Sequence, residues 1–348
     1  MAILRVVVVG CGNMGSSHAR AYRSVEGFDI AGLVDSTPAR GEALASELGG
    51  VPVVTTLGQA LDALRPDAVA ICTYPDTHHA LVMQALEAGL HVFVEKPLAT
   101  TVGEAEAIVR ESARRDRTVV VGYILRHHPA WQRFIEEART LGKPLVMRMN
   151  LNQQSSGREW ETHKNLMRSM SPIVDCGVHY VDVMCQMTRS RPVRVQAIGA
   201  RLTGEIASDM YNYGQLQVVF EDGSVGWYEA GWGPMMSEVA YFVKDVIGPR
   251  GSVSIAGRDY GKESSAIDTH TSTGSLVRHD ADTGADVRID TSAEPSHQEL
   301  CNREQAFFLR AIREGIDLGD HLADAVNSLR IVLAADESVR TGRTVNLS

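Results

Sequence analysis

The sequence lacks several features that would assign it to a special class of proteins. No apolar run approaches the roughly 18 residues that a membrane-spanning helix requires. The first apolar strand pattern starts so close to Met1 that we expect no signal peptide. The five cysteines show no CxxC spacing and predict no disulfide framework. We therefore expect a cytoplasmic protein whose cysteines are small, buried, reduced side chains.

The chain also lacks any strong excess of positive charge. Its 34 Lys and Arg residues are outnumbered by 43 Asp and Glu residues, which gives a net charge of -9. No basic stretch carries interleaved aromatic residues, so we expect no nucleic-acid partner. The 348 residues, 44% of them hydrophobic, predict about two domains with substantial cores.

A glycine motif at the start of the chain is the most informative feature. The apolar run 3–9 leads into Gly-Cys-Gly-Asn-Met-Gly at 10–15, a helical pattern follows, and a second apolar run ends at Asp35. Gly10 permits a tight turn, Gly12 lets a pyrophosphate approach the backbone, and Gly15 lets the helix pack on the sheet. The N-terminus of the helix attracts phosphate. The predicted cofactor contacts here are Gly10, Gly12, Asn13, Met14, Gly15 and Asp35.

The position of Asp35 predicts which dinucleotide binds. An acid about 20 residues after the last glycine accepts hydrogen bonds from the ribose diol. The same carboxylate would repel a 2′-phosphate, so the sequence favours NAD. Ser36, Thr37 and Arg40 leave NADP or dual use open.

The first third of the chain alternates strand and helix patterns. This alternation predicts an α/β protein whose N-terminal domain, residues 1–124, is a doubly wound parallel sheet of the Rossmann type. The predicted strands are 4–9, 30–34, 51–54, 68–72, 91–94 and 118–121, and the predicted helices after the first are 38–48, 57–64, 77–87 and 101–115.

Strand patterns predominate in the second domain, residues 125–348. Period-two alternation at 145–151, 193–202, 212–220, 224–232 and 241–248 predicts a large, mostly antiparallel open sheet in an α+β domain. The segment 261–291 is rich in Ser, Thr, Asp and Gly and suggests short strands with polar turns. Helical patterns at 296–314 and 321–341 close the chain.

Two short motifs carry residues suited to proton and charge chemistry. Glu95-Lys96-Pro97 follows a strand at the sheet edge where open α/β proteins bind ligands, and its Lys–Pro bond is a candidate for the cis form. Ser171 and Pro172 resemble the cap and first residue of a helix reaching about Met187. Such a helix would place Asp175 and His179 one turn apart, where an acid can orient an imidazole that accepts a proton. Each motif alone is also compatible with an ordinary structural role.

Taken together, the motifs resemble the glucose–fructose oxidoreductase / inositol dehydrogenase / MocA (Gfo/Idh/MocA) family. The resemblance covers nearly the whole chain, from the glycine motif through 72–78 and Glu95-Lys96-Pro97 to Asp175-Cys176-Gly177-Val178-His179 and 342–345. One departure is visible, since family members commonly carry glycines before the acid where this chain has Ser-Met-Ser-Pro at 169–172.

The resemblance implies an activity and a role for each motif. It implies an NAD(P)-dependent oxidoreductase that interconverts a secondary hydroxyl and a ketone on a cyclitol, sugar or sugar derivative. Lys96 would contact the substrate hydroxyl and stabilise the alkoxide, His179 would accept the proton with Asp175 orienting it, and Thr73 and Glu95 would contact the cofactor. It also implies a homodimer or homotetramer formed through the C-terminal sheet.

Other polar residues before the second motif are weaker candidates for substrate contacts. Arg126 and His127 lie near the domain junction, and Trp160 and His163 lie before the Asp175 motif, where an indole face would suit a sugar. A packing Trp and a solvated His are equally compatible with the pattern. The histidines show no zinc-like spacing, so no metal is predicted.

Two further functions stay open at this point. The chain could be a keto-sugar or dihydrodiol-type reductase of the same fold, since residues do not set the direction of reaction. It could also be an NAD-binding sensor without turnover, although such a protein would be free to lose Lys96, Asp175 or His179.

Overall fold

The computed structural model describes residues 2–237, 243–256, 271, 273–291 and 294–347. Contacts divide the chain into two compact units. The first comprises Met1–Ile124 and Pro295–Val326, and the second comprises Leu125–Glu294 and Asn327–Ser348. The chain therefore crosses between units three times, whereas the sequence predicts a single boundary after residue 124.

The first unit is built on a six-stranded parallel sheet with the strand order β3-β2-β1-β4-β5-β6. This confirms the predicted Rossmann sheet. Its strands are β1 Leu4–Val9, β2 Phe28–Val34, β3 Val53–Val54, β4 Ala68–Ile71, β5 His91–Glu95 and β6 Val119–Gly122. The helices that connect them are α1 Asn13–Ser24, α2 Pro38–Glu47, α3 Leu57–Leu64, α4 His78–Glu87 and α5 Val102–Arg115.

A helix from late in the chain completes the core of the first unit. The ring of Phe308 stacks on Phe28 with centroids 6.0 Å apart and contacts Phe93 at 6.2 Å. Further on, Nε2 of His321 accepts the backbone N–H of Val121 at 2.9 Å. Because apolar surface of the sheet is buried by this segment, 295–326 belongs to the first unit and not to the second.

The second unit is built on a nine-stranded sheet with the order β14-β13-β12-β11-β7-β10-β9-β8-β15. Its strands are β7 Val146–Gln154, β8 Pro192–Ala200, β9 Tyr213–Phe220, β10 Val225–Gly233, β11 Lys244–Gly248, β12 Gly251–Ala256, β13 Ser275–Asp280, β14 Asp286–Asp290 and β15 Val345–Asn346. Neighbours are antiparallel except the pair β7 and β10, which is parallel. The mostly antiparallel open sheet is thereby confirmed.

The helices of the second unit depart from the sequence analysis in two ways. They are α6 Pro129–Thr140, α7 Gly157–Leu166, α8 Pro172–Asp175 and α9 Gly177–Thr188. We did not predict α6 or α7. The single helix predicted from Pro172 is interrupted at Cys176, although the backbone of Cys176 is itself right-handed helical (φ -85, ψ -39).

Two α-helices lie between β14 and β15 in the chain, α10 His297–Glu314 and α11 Gly319–Thr341. The division between units falls inside α11, after Val326. Residues 241–242 of the predicted strand 241–248, and 261–270 and 272 of the predicted polar segment 261–291, lie outside the described residues. In the part of the chain that is described, no helix combines the length and apolar character needed to cross a membrane.

Candidate functional site

The glycine turn after β1 is tightly packed at two of its three glycines. Gly10 has φ +90, and a Cβ there would lie 2.8 Å from the carbonyl oxygen of Cys72. A Cβ on Gly15 would lie only 1.7 Å from the carbonyl oxygen of Gly10. Any larger residue at these positions would push the helix away from the turn.

Gly12 is a glycine for a different reason. Among the described residues, nothing lies within 4 Å of a Cβ built at Gly12. Gly12 precedes α1. Of the first two residues of this helix, Asn13 is exposed and Met14 is half-buried. Gly12 has no side chain to cap α1, and the first N–H groups of a helix have no partner within the helix, which suits the pyrophosphate of a dinucleotide.

Asp35 is fixed against the glycine turn by two backbone hydrogen bonds. Its Oδ2 accepts the N–H of Cys11 and its Oδ1 accepts the N–H of Thr37, each at 2.8 Å. The side chain is 7% exposed. Burial, and then the charge of Asp35, raise the pKa of the Cys11 thiol to about 11, so this cysteine stays protonated at neutral pH. Asp35 is thus a fixed acceptor at the end of β2.

The loops after β4 and β5 are joined by a buried histidine. Nδ1 of His78 lies 2.8 Å from the carbonyl oxygen of Pro97, and Nε2 lies 3.0 Å from that of Thr73. Burial lowers the pKa of His78, although both carbonyls act in the opposite direction. A neutral ring donates to only one of the two carbonyls. The bridge holds Thr73 and the Glu95-Lys96-Pro97 motif at the same edge of the sheet.

Glu95 and Lys96 face different surroundings. Oε1 of Glu95 lies 2.8 Å from Nε2 of His18, and Oε2 accepts the backbone N–H of Lys96 at 3.2 Å. Residues 92–99 are all buried except Lys96, which is half-buried. The Lys96–Pro97 bond is cis. The Glu95 side chain is therefore buried, whereas Lys96 is partly accessible to solvent.

A polar cluster lies beneath this motif in the core of the first unit. Side-chain atoms of His18, Cys301 and Glu304 lie within 4.8 Å of one another. Nδ1 of His18 lies 2.9 Å from Nε2 of Gln305, so both ring nitrogens take part in hydrogen bonds. Burial, and then the charge of Glu95, raise the pKa of Glu304. His18 thus links Glu95 to Gln305, and the raised pKa of Glu304 favours the uncharged form of that carboxyl.

Asp175 and His179 lie on either side of the break between α8 and α9. The His179 N–H donates to the carbonyl oxygen of Cys176 at 3.2 Å, and the Asp175 N–H donates to that of Ser171 at 3.0 Å. Every residue from 171 to 180 is buried except Asp175 and His179, which are half-buried. The two side chains predicted to act together are therefore the two that this segment leaves accessible.

Arg126, another predicted substrate contact, has a structural partner within the second unit. Nε of Arg126 donates to Oδ2 of Asp182 at 2.9 Å, and Nη2 donates to Oδ1 at 2.5 Å. Burial raises the pKa of Asp182, and the Arg126 guanidinium opposes that shift. His127 ends the turn Ile124–His127 and is half-buried. Its neighbour His128 caps α6 by accepting the N–H of Ala130 at 3.2 Å.

Trp160 and His163 both lie on α7 and are 6% and 7% exposed. Nε1 of Trp160 lies 3.3 Å from a carboxylate oxygen of Glu205. The His163 ring stacks on Trp232 with centroids 4.3 Å apart and planes 6° apart. A solvated His163, which the sequence left open, is therefore wrong, and both side chains contribute to packing.

A glutamine that the sequence did not mark as a site residue links several of these elements. Oε1 of Gln153 accepts Nε1 of Trp232 at 2.6 Å and the thiol of Cys176 at 3.2 Å. Gln153 lies near the end of β7, and its neighbour Asn152 donates to Glu229 at 2.7 Å. The sequence feature that could have indicated Gln153 is the polar run 152–156, which directly follows the predicted strand 145–151.

Comparison with known proteins places the chain in a family. The family model described as "Oxidoreductase family, NAD-binding Rossmann fold" matches residues 4–123, and that described as "GFO/IDH/MocA C-terminal domain" matches residues 133–254. The solved oxidoreductase domain protein from Kribbella flavida superimposes with a TM-score of 0.84 at 22% identity, with 100% of each chain covered.

Curated relatives match over part of their length. UDP-N-acetylglucosamine 3-dehydrogenase of Acidithiobacillus ferrooxidans is 29% identical over 57% of this chain and 59% of its own. Inositol 2-dehydrogenase of Cereibacter sphaeroides (strain ATCC 17029) is 33% identical over 58% of each chain. The matched part thus spans less than two thirds of these relatives. The two family models together cover most of the chain, which therefore belongs to the Gfo/Idh/MocA family of oxidoreductases with an NAD-binding Rossmann fold.

Proposed function

We propose that this protein is an NAD-dependent dehydrogenase that oxidises a secondary hydroxyl of a cyclitol, sugar or sugar derivative. The observation that carries the proposal is the selective accessibility of Asp175 and His179 in an otherwise buried segment. Family membership and the names of curated relatives, which act on inositol and on UDP-N-acetylglucosamine, support the substrate class. A cytoplasmic location is part of the same proposal and agrees with five free cysteines.

Each proposed residue has a distinct task in the reaction. NAD held at the glycine turn would supply the acceptor for the hydride of the carbinol carbon. His179 accepts the hydroxyl proton, and Asp175 holds the imidazole in the tautomer that can do so. The ammonium of Lys96 stabilises the alkoxide that develops on the oxygen. Gly12, the start of α1 and Asp35 bind the pyrophosphate and the ribose.

A substrate panel tests the activity directly. Purified protein is given NAD+ or NADP+ with inositols, hexoses, sugar acids and UDP-N-acetylglucosamine, and the absorbance of reduced cofactor is followed. The reverse assay supplies keto sugars with NADH and covers a reductase. We expect reduced cofactor with at least one polyol. Binding of NADH without turnover in either direction would favour a sensor and contradict the proposal.

Substitution of the two proposed catalytic residues tests the mechanism. His179→Ala and Lys96→Ala should each lower kcat by about two orders of magnitude or more while NADH still binds. The matched control is His279→Ala, because His279 is exposed on a hairpin where it pairs with Asp286. Wild-type kcat in both variants would mean that other residues carry the chemistry.

We further propose that the open face of the second sheet forms a homodimer or homotetramer interface. Ile247, Val146 and Val225 are direct cross-strand partners on β11, β7 and β10, and they are 40%, 40% and 36% exposed. An apolar row of this kind is typical of an interaction surface. Sedimentation velocity should show an oligomer that Val146→Glu dissociates. A monomeric wild-type protein would contradict this part.

A further inference from the structure

A tyrosine in the second unit lies across two glycines of neighbouring strands. Gly199 on β8 and Gly214 on β9 are direct cross-strand partners. A Cβ on Gly214 would lie 2.6 Å from Cε2 of Tyr211, and a Cβ on Gly199 would lie 3.0 Å from its Cγ. The Tyr211 ring, 7% exposed, fills the space that side chains at both positions would need.

The Tyr211 hydroxyl reaches the start of helix α8. It donates to Oδ1 of Asp336 and lies 3.0 Å from the hydroxyl oxygen of Ser171. The Ser171 hydroxyl in turn donates to Oδ1 of Asp336 at 2.7 Å. Ser171 is fully buried, so this triangle of oxygen atoms is closed to solvent on the Ser171 side.

Ser171 is also the N-cap of α8. Its hydroxyl oxygen accepts the N–H of Val174 at 3.2 Å, and its carbonyl oxygen accepts the N–H of Asp175 at 3.0 Å. Helix α8 has four residues, and a helix of one turn has no stability of its own. Asp175 is therefore held by α9 on one side, through Cys176, and by Ser171 on the other.

We propose that Tyr211 and Asp336 are positioning residues that act through Ser171 on the Asp175–His179 pair. This inference rests on the proposed function, because the exact position of the pair affects the rate only if the pair is catalytic. It also gives a reason for serine at 171, because a glycine there would provide no hydroxyl for the triangle. A misplacement of catalytic groups by about 1 Å can cost about a hundredfold in rate.

Conservative variants separate positioning from folding. Tyr211→Phe keeps the ring over Gly199 and Gly214 and removes only the hydroxyl. Ser171→Ala removes the cap, and Ser171→Thr restores a hydroxyl. The control is Tyr22→Phe, which removes a buried hydroxyl of the first unit that has no hydrogen-bond partner among the described residues.

Two measurements are made on every variant. Hydrogen exchange of 171–180 needs no substrate, and kcat, KM and the NADH dissociation constant are measured with the substrate that the panel identifies. For Tyr211→Phe and Ser171→Ala we expect faster exchange in 171–180 and a kcat lowered by about one to two orders of magnitude, with unchanged NADH binding. Ser171→Thr should recover most of kcat, and Tyr22→Phe should change neither readout.

The outcomes separate this inference from the proposed function. Unchanged exchange in Tyr211→Phe would overturn the link between Tyr211 and α8, whatever the activity of the protein. Faster exchange with a wild-type kcat would show a structural role only and overturn the positioning inference. Absence of any turnover in the wild-type protein would overturn the proposed function, and with it the catalytic purpose of the positioning.

Discussion

Nε2 of His18 lies 2.8 Å from Oε1 of Glu95, and both side chains are withdrawn from solvent. His18→Ala removes the donor and leaves a buried carboxyl with one unsatisfied oxygen. We expect the free energy of unfolding to fall by about 2–3 kcal/mol, as is usual for a buried charged acceptor without its partner. Urea denaturation followed by circular dichroism measures this loss, with His279→Ala as the exposed control. A loss below about 0.5 kcal/mol would mean that the hydrogen bond is unimportant for stability.

Glu304 should make the protein less stable as the pH rises. Its pKa is raised in the folded chain by burial and then by Glu95, so the folded state holds the proton at pH values where the unfolded state has lost it. The free energy of unfolding therefore declines with rising pH from about the unfolded pKa up to the folded pKa. Glu304→Gln cannot ionise, so its free energy of unfolding should increase relative to that of wild type as the pH rises above the usual pKa of a glutamate. Urea midpoints at several pH values test this, and a constant difference would contradict it.

Gly12 and Gly15 should respond differently to the same substitution. Gly15→Ala places a Cβ 1.7 Å from a backbone oxygen, whereas Gly12→Ala meets nothing within 4 Å in the described chain. We expect Gly15→Ala to lower the melting temperature, and Gly12→Ala to leave it unchanged while weakening NADH binding at least about tenfold by blocking the pyrophosphate. Thermal unfolding and fluorescence titration with NADH separate the two effects. Normal NADH affinity in Gly12→Ala would place the pyrophosphate elsewhere.

Asp35→Ser should relax the preference for NADH over NADPH. The carboxylate is held in place by the N–H groups of Cys11 and Thr37 and would repel a 2′-phosphate. We expect the ratio of the NADPH and NADH dissociation constants to fall by about tenfold, which corresponds to about 1.4 kcal/mol. Asp35→Asn, which keeps a hydrogen-bond acceptor but loses the charge, distinguishes repulsion from loop disruption. An unchanged ratio in both variants would show that Asp35 is not at the ribose.

Arg126→Met should destabilise the second unit by about 3 kcal/mol, because it leaves the buried carboxylate of Asp182 without its cation. Adding Asp182→Asn should recover part of the loss. Urea denaturation of the single and double variants gives the coupling. Additive effects would mean that the pair contributes nothing as a pair. A raised KM in a variant that stays folded would support the predicted contact of Arg126 with substrate.

Local sequence patterns were sufficient for the first unit up to residue 124. Strand, glycine turn, helix and acid follow one another within 35 residues, and parallel strands connected by short helices have one common arrangement. The contact between Asp35 and the turn follows from that arrangement. The contact of Phe308 with Phe28 cannot be predicted in this way. The two residues lie about 280 positions apart, and no local sequence pattern identifies one as the partner of the other.

The candidate residues of the second unit were only partly readable. Ser171, Pro172 and the spacing of Asp175 and His179 are local features, and the cap at Ser171 was confirmed. The Arg126–Asp182 pair and the stacking of His163 on Trp232 join distant segments. An amphipathic side chain in a polar stretch looks the same in sequence whether it packs or binds, so Trp160 and His163 were ambiguous.

The return of residues 295–326 to the first unit has a consequence for the order in which the protein is made. A ribosome releases the strands of the Rossmann sheet first, but Phe308, which covers Phe28 and Phe93, emerges only after nearly all of the second unit. Until then the nascent sheet carries apolar surface exposed to water or to a chaperone. Synthesis of the dinucleotide-binding unit therefore begins first, and its folding is completed late.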